Sequence, residues 1–428
     1  YTSVYIQESG YMMNEKVTSQ EALLFQAALG IQSPWMITNI TLNQETHELH
    51  IYLDFEKGSQ FPCPICNSIC SCYDTQEKIW QHLSFFEYTT FLHARTPRVS
   101  CKKDGIHRIQ VPWARSGSGF TLLMEIFLIL LCKEATVKGV QRITKVSDKR
   151  IWNILRHYVE EAVQNIDSST ITEIGIDETS RKRGHQYVTV AVDMEERKVF
   201  HVTQGKGKET CASIANAISE QGGNPLQIQE VSMDMSPSFI QGSKESFPLA
   251  AITFDKFHIM KAINHALDEV RRVENKTNKE LNKTRWIWLK SLNHLTPMQN
   301  TQLKELLQNP YLKTAKAYAL KLELQDFWYC CPKEAALVLL NWIDKVKKNQ
   351  LEPLMQVADM IMRHWDGVLR WFQSQINNGV LEGINSIIQA AKRKARGYRN
   401  VENFTTMIYL LAGKINLDSV LHVFPHTK

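Results

Sequence analysis

A disulfide framework is excluded at the outset. Nine cysteines in 428 residues are too few to staple a scaffold, and Cys63, Cys66, Cys70 and Cys72 lie within one short stretch, with Cys101 following. Such clustering favours a metal site in a reducing compartment. Long apolar runs are also missing: the longest, FTLLMEIFLILLC at 120–132, carries Glu125 and is too short to span a bilayer. Glu8 and Glu15 interrupt any secretory pattern at the N-terminus, so the chain reads as soluble and cytoplasmic, with no membrane partner. Charge of one sign is not in large excess. A net +6 with pI near 8.7 is compatible with nucleic acid without requiring it. No low-complexity tract argues for disorder, and 43% apolar residues suffice for packed cores. Nor is there a P-loop, a dinucleotide fingerprint or a Ser/His/Asp set; Gly205-Lys206-Gly207-Lys208 lacks the flanking pattern.

Two to four domains are expected at roughly 150 residues each. Residues 1–33 form an extension with one helical patch, EALLFQAALG. Residues 34–115 alternate apolar and polar side chains, beginning with a hairpin over Trp35 to Phe55, and read as a zinc-ribbon-like β module. Cys63 and Cys66 form a C-x2-C knuckle, which aims two sulfurs at one tetrahedral Zn(II). Cys101 starts a second knuckle, but Asp104 stands where its partner is expected. His107 is the nearest soft ligand, so the fourth position is open between His107 and Asp104, while Cys70 and Cys72 are read as bystanders. A module this small would draw folding energy from its metal.

At 116–168 the period changes to that of three short helices, the pattern of a helix-turn-helix. The last one puts Ile151, Ile154, Leu155 and Tyr158 on one stripe. Lys149, Arg150, Asn153 and Arg156 lie elsewhere on it as candidate DNA contacts.

Residues 169–271 follow the order β-β-β-α-β-α-β-α, that of a ribonuclease H-like core. Its first strand, ITEIGIDETS, is expected to stop at Asp177, and its fourth, QEVSMDMSPSF, at Asp234. In that order the first and fourth strands are neighbours. Two adjacent carboxylates repel unless they share a cation. Residues 272–370 read as an all-helical insertion, and 371–428 return to the core with a helix starting near Val380 after a break at Asn377, Asn378 and Gly379. That helix carries Glu382 in its first turn. Beyond it, Lys392, Arg393, Lys394, Arg396 and Arg399 run with no acid between Glu382 and Glu402, which beside an acidic site suits phosphate contact. Three carboxylates make a hard oxygen site for two Mg(II) or Mn(II) ions, suited to in-line phosphoryl transfer.

The stretches VPWARSGSGFT (111–121), GIDE (175–178), SMDMSPSF (232–239), FDKFHIMK (254–261) and NGVLEGINSIIQAAKRKARGYRN (378–400) resemble the DDE transposases of bacterial insertion sequences. The resemblance is to the family with an N-terminal zinc ribbon, a helix-turn-helix and a helical insertion in the core. It implies a catalytic triad of Asp177, Asp234 and Glu382, with Asp255 and His258 in support. It also implies recognition of the element's terminal inverted repeats in double-stranded DNA, joining to target DNA, and a homodimer that synapses two ends. Localisation would be the bacterial cytoplasm, at the nucleoid when bound. The ribbon departs from the family at Asp104. Two other readings are a structure-specific nuclease of the same fold and a non-catalytic, domesticated DNA-binding regulator; the presence of all three acids argues against the second.

Overall fold

The computed structural model describes residues 20–182, 186–374, 376 and 379–416. Glu8 and Glu15, the break expected at Asn377 and Asn378, and the tail beyond Asn416 lie outside the described residues. Two compact units divide between Ile154 and Leu155, within a single helix.

In the first unit, α1 (Gln20–Ala28) precedes six strands: β1 (Trp35–Asn43), β2 (Glu48–Phe55), β3 (Gln60–Pro62), β4 (Ile69–Gln81), β5 (Thr89–Cys101) and β6 (Gly105–Arg108). The sheet order is β1-β2-β5-β4-β3, with β6 paired on β5. The expected hairpin is β1–β2. The Asn43 side chain accepts hydrogen bonds from the backbone N–H groups of Glu45 and Thr46 at its turn. Trp113 stands edge-on to both Trp35 and Trp80, with ring centroids 4.8 and 5.7 Å apart. Large aromatics dominate the burial of small cores, so this module has an apolar core of its own. Cys63, Cys70 and Cys101 are buried in the same core as the three tryptophans, so the knuckles and the aromatic core are continuous.

Three helices follow: α2 (Leu122–Glu134), α3 (Val137–Thr144) and α4 (Asp148–Gln164). Thr121 and Thr136 cap the first two, each accepting an N–H bond from the third residue on. Lys145 takes a left-handed conformation (φ 60°) to end α3. Ile151, Ile154, Leu155 and Tyr158 of α4 are all buried, as their stripe required.

The second unit is built on β7 (Glu173–Lys182), β8 (Gln186–Asp193) and β9 (Lys198–Gln204), then α5 (Glu209–Glu220), β10 (Glu230–Met233), α6 (Pro237–Ser246), β11 (Ala251–Phe254) and α7 (Lys256–Glu274). The sheet order is β11-β10-β7-β8-β9; the first three strands are antiparallel and β10 and β11 parallel. This is the ribonuclease H-like arrangement expected from the pattern. Helices α8 (Arg285–Leu289), α9 (Pro297–Leu307), α10 (Lys313–Phe327), α11 (Ala335–Asn349), α12 (Glu352–Arg363) and α13 (Trp365–Ser374) come next. One apolar core runs from Ile174 and Ile176 of the sheet through Trp288, Tyr318 and Trp342 of these helices. The chain ends its described course with α14 (Gly379–Lys394) and α15 (Val401–Ala412).

Both sheet edges are covered. Gly367 lets α13 lie on β11, where a Cβ would sit 2.4 Å from the Phe254 ring. On the other edge the free Val202 N–H donates to the Tyr409 hydroxyl of α15 at 3.0 Å, and burial pushes that phenol up to about 12.

Candidate active site and metal centre

The parallel register of β10 on β7 sets the first two carboxylates. Ser232 pairs with Gly175, and two residues further on, still on the same face of each chain, come Asp234 and Asp177. One expectation is corrected here. The strand carrying Asp177 does not stop there: β7 continues to Lys182, pairing with β8 through Asp177–Val190, Thr179–Val188 and Ser180–Tyr187. It is β10 that stops, at Met233. Backbone pairing along the β7–β8 hairpin is indifferent to the polar side chains of 178–182, so the change in composition marks the end of the neighbouring strand instead.

Asp177 is half-buried. Its Oδ1 accepts the Glu178 N–H at 2.7 Å, and its Oδ2 accepts the Asn385 side-chain amide. Burial raises its pKa above the usual carboxylate range, with the two donors and His258 pulling back and Asp234 adding to the rise. Glu178 is raised likewise, by burial first and then by Asp234. Its carboxylate faces Lys206 at 3.9 Å, and Lys206 lies over the Tyr187 ring. Asp234 Oδ1 accepts the Ser236 N–H at 3.0 Å, and His258 Nδ1 stands 4.0 Å from its Oδ2. Asp255 is the N-cap of α7, accepting the Phe257 N–H at 2.8 Å, so it orients the first turn that carries His258.

Glu382 is exposed on α14, one turn before Asn385. Thus the structure brings Asp177, Asp234, Glu178 and His258 together and sets Glu382 on the helix that clasps Asp177. It does not draw the three carboxylates into one tight group, for among the described residues the one cluster with all ligand atoms within 4.8 Å is in the ribbon. The carboxylate oxygens of Asp177, Asp234 and Glu178, with their surplus of negative charge, are donors of the kind a hard divalent cation takes.

That ribbon cluster is Cys63, Cys66, Cys101 and Asp104. Cys66 Sγ is 3.5 Å from Cys101 Sγ, while Asp104 Oδ2 is 3.5 Å from Cys63 Sγ and 3.3 Å from Cys101 Sγ. A tetrahedral Zn(II) with ordinary bond lengths requires edges of about 3.5–3.8 Å, so the donor set fits. The two knuckles match in backbone as well. Left-handed Asn67 (φ 57°) follows Cys66, and left-handed Gly105 (φ 87°) follows Asp104. His107, the other candidate for the fourth position, is outside the cluster, with Nε2 2.6 Å from the Asp104 carbonyl. Cys72 points away, towards the Asp74 carbonyl. Cys70, expected to be a bystander, is buried, and its thiol is raised by that burial and then by Cys101, Cys63 and Cys66.

The candidate DNA contacts divide. Lys149 and Asn153 are exposed on α4. Arg150 instead lies 3.7 Å over the Phe120 ring and donates to the Gly119 carbonyl at 3.3 Å, and Arg156 pairs with Glu402 at 3.1 Å. In the basic run, Arg393, Lys394, Arg396 and Arg399 are exposed, whereas Lys392 reaches the Ser180 hydroxyl at 2.9 Å. Sequence reasoning missed Asn385; its spacing of three from Glu382, which puts both near one helix face, was the available signal.

Three family models match the chain in series. They are a zinc finger of the transposases IS204/IS1001/IS1096/IS1165 over residues 59–104, the helix-turn-helix domain of transposase family ISL3 over 109–159, and the DDE transposase domain of ISL3 over 174–408. The chain is 28% identical over 356 residues to the transposase for insertion sequence element IS1001 of Bordetella parapertussis, covering 80% of this chain and 86% of that one. It is 25% identical over 384 residues to the transposase for insertion sequence element IS1557 of Mycobacterium tuberculosis, covering 82% and 86%. Among the described residues no helix is long and apolar enough to cross a membrane.

Proposed function

The chain belongs to the ISL3 family of DDE transposases, and we propose that it binds the terminal inverted repeats of its own element, cuts there and joins the ends to target DNA. Asp177, Asp234 and Glu382 are the proposed catalytic carboxylates. The observation that carries this reading is the β10–β7 register that makes Asp177 and Asp234 level, with α14 clasped to the same carboxylate through Asn385. Two Mg(II) or Mn(II) ions held there would sharpen the attacking water or 3′-hydroxyl and stabilise the leaving oxygen. The chain's own part is positioning. Main-chain N–H groups orient Asp177 and Asp234, Asp255 orients His258, and Lys206 sets Glu178.

End recognition falls to the ribbon and the helix-turn-helix, with Lys149 and Asn153 at the groove and Arg393, Lys394, Arg396 and Arg399 along phosphates. Zn(II) on Cys63, Cys66, Cys101 and Asp104 would hold the ribbon knuckles in shape. Two ends must be cut in concert, so the working form is a homodimer acting on DNA in the bacterial cytoplasm. The test is incubation with end-repeat DNA and Mg(II), comparing wild type with Asp177→Ala and Glu382→Ala. Cleavage and joining should vanish in both. Cleavage that survives either substitution rejects the assignment, and cleavage without joining in the wild type makes the protein a nuclease.

A further inference from the structure

The contacts between α14 and β7 form a ladder. Leu381 lies against Gly175, Asn385 donates to Asp177, Gln389 to the Thr179 hydroxyl, and Lys392 to Ser180. Four helical residues rise about 6.0 Å and two strand residues about 6.7 Å. Steps of four along α14 therefore stay in phase with steps of two along β7 for the three rungs from Leu381 to Gln389. Gly175, Asp177 and Thr179 share one face of β7, and that face meets α14. The helix is thus keyed to the strand one rung at a time, and the Asn385 rung ends on a carboxylate.

We propose that Asn385 is a positioning residue for the cation site, fixing the rotation of the Asp177 carboxylate and the register of α14 that carries Glu382. This rests on the reading of Asp177 and Glu382 as ligands. The chemistry suits the role. The Asn385 amide occupies one lone pair of Oδ2 and the Glu178 N–H one of Oδ1, which leaves each oxygen a second lone pair for a cation. A neutral amide orients the carboxylate without neutralising it, whereas an ammonium at this position would compete with a metal for the same charge. Gln389, one rung on, makes the same kind of contact to a hydroxyl and serves as the internal control.

The experiment measures Mn(II) affinity by electron paramagnetic resonance on the zinc-loaded full chain without DNA, beside the melting temperature in chelator. Asn385→Leu should weaken Mn(II) binding by about 10- to 100-fold, the usual effect of losing a hydrogen bond to a metal ligand. Its metal-free melting temperature should move no more than that of Gln389→Leu, which should leave Mn(II) affinity unchanged. Wild-type affinity in Asn385→Leu, or an equal loss in Gln389→Leu, overturns the positioning role. Wild-type affinity in Asp177→Asn overturns the ligand reading itself along with it.

Discussion

Gly175 is the point where β7 and α14 come closest, and a single methyl group tests that approach. A Cβ at Gly175 would lie 2.6 Å from Met194 Sδ and 2.7 Å from Leu381 Cδ2. Met194 ends in a flexible thioether that can move aside. Leu381 is buried and adjacent to Glu382, so relief on that side shifts the helix. Overpacking of this kind costs about 1–3 kcal/mol, and removing glycine's chain entropy from a strand returns about 0.5–1 kcal/mol. The net loss in Gly175→Ala is then about 1–2 kcal/mol, or a melting temperature lower by about 2–8 °C for a unit of this size. Activity should fall further than stability, since a displacement of about 1 Å at a reacting centre costs about 100-fold in rate. Leu381→Ala alone leaves a cavity and costs about 2–5 kcal/mol. The added methyl partly fills that cavity in the double variant, so its loss should be smaller than the sum by about 1–2 kcal/mol. Thermal melts with end-cleavage rates on the four proteins check this. Additive losses, or full activity in Gly175→Ala, refute the close-approach argument.

Asp104→Cys completes a four-sulfur site and should raise zinc affinity at least about 10-fold over wild type. Asp104→Ala should lose zinc and His107→Ala keep it, as read by metal content after dialysis against a graded chelator. Because Trp35, Trp80 and Trp113 pack on one another in series, full zinc removal should leave much of the module's near-ultraviolet dichroism in place while weakening end binding. Burial pushes His82 and His201 down to about 4. The unfolded chain therefore takes up protons between about pH 6.5 and 4 that the folded one refuses, and stability present above that window is lost as pH falls through it. Urea midpoints across this range should decline, less steeply in His201→Gln; an unchanged slope in that variant contradicts the assignment. Lys149→Ala should weaken end binding and lower the salt slope by about 1, whereas Arg150→Ala should act on stability through its lost contact with Phe120, by about 0.5–1 kcal/mol.

Period and composition exposed the strands of both sheets, because β-sheet alternation and the buried run of β10 are written in side chains. The extent of β7 was not so written. Residues 178–182 are held by main-chain bonds to β8, and such bonds leave no trace in residue type. Asp104 was half legible: the spacing from Cys101 matched a knuckle, but choosing it over His107 required the left-handed glycine that follows to be seen beside Asn67. Arg150 looked like a groove contact, and only the fold could reveal its seat over Phe120, thirty residues earlier in the chain. Asn385 was hidden for the opposite reason. An amide in a helix is unremarkable until the strand opposite it is known.

Iron(II) bound in place of magnesium, with ascorbate and peroxide, generates hydroxyl radicals that cut the backbone beside its ligands, so the fragments report the site without requiring activity. The account predicts cuts clustered near Asp177 in β7, Asp234 after β10 and Glu382 in α14, each suppressed by excess Mg(II) and all weakened together in Asp177→Asn. Cuts that avoid α14, or that persist unchanged in Asp177→Asn, would contradict the claim that these three carboxylates serve one site.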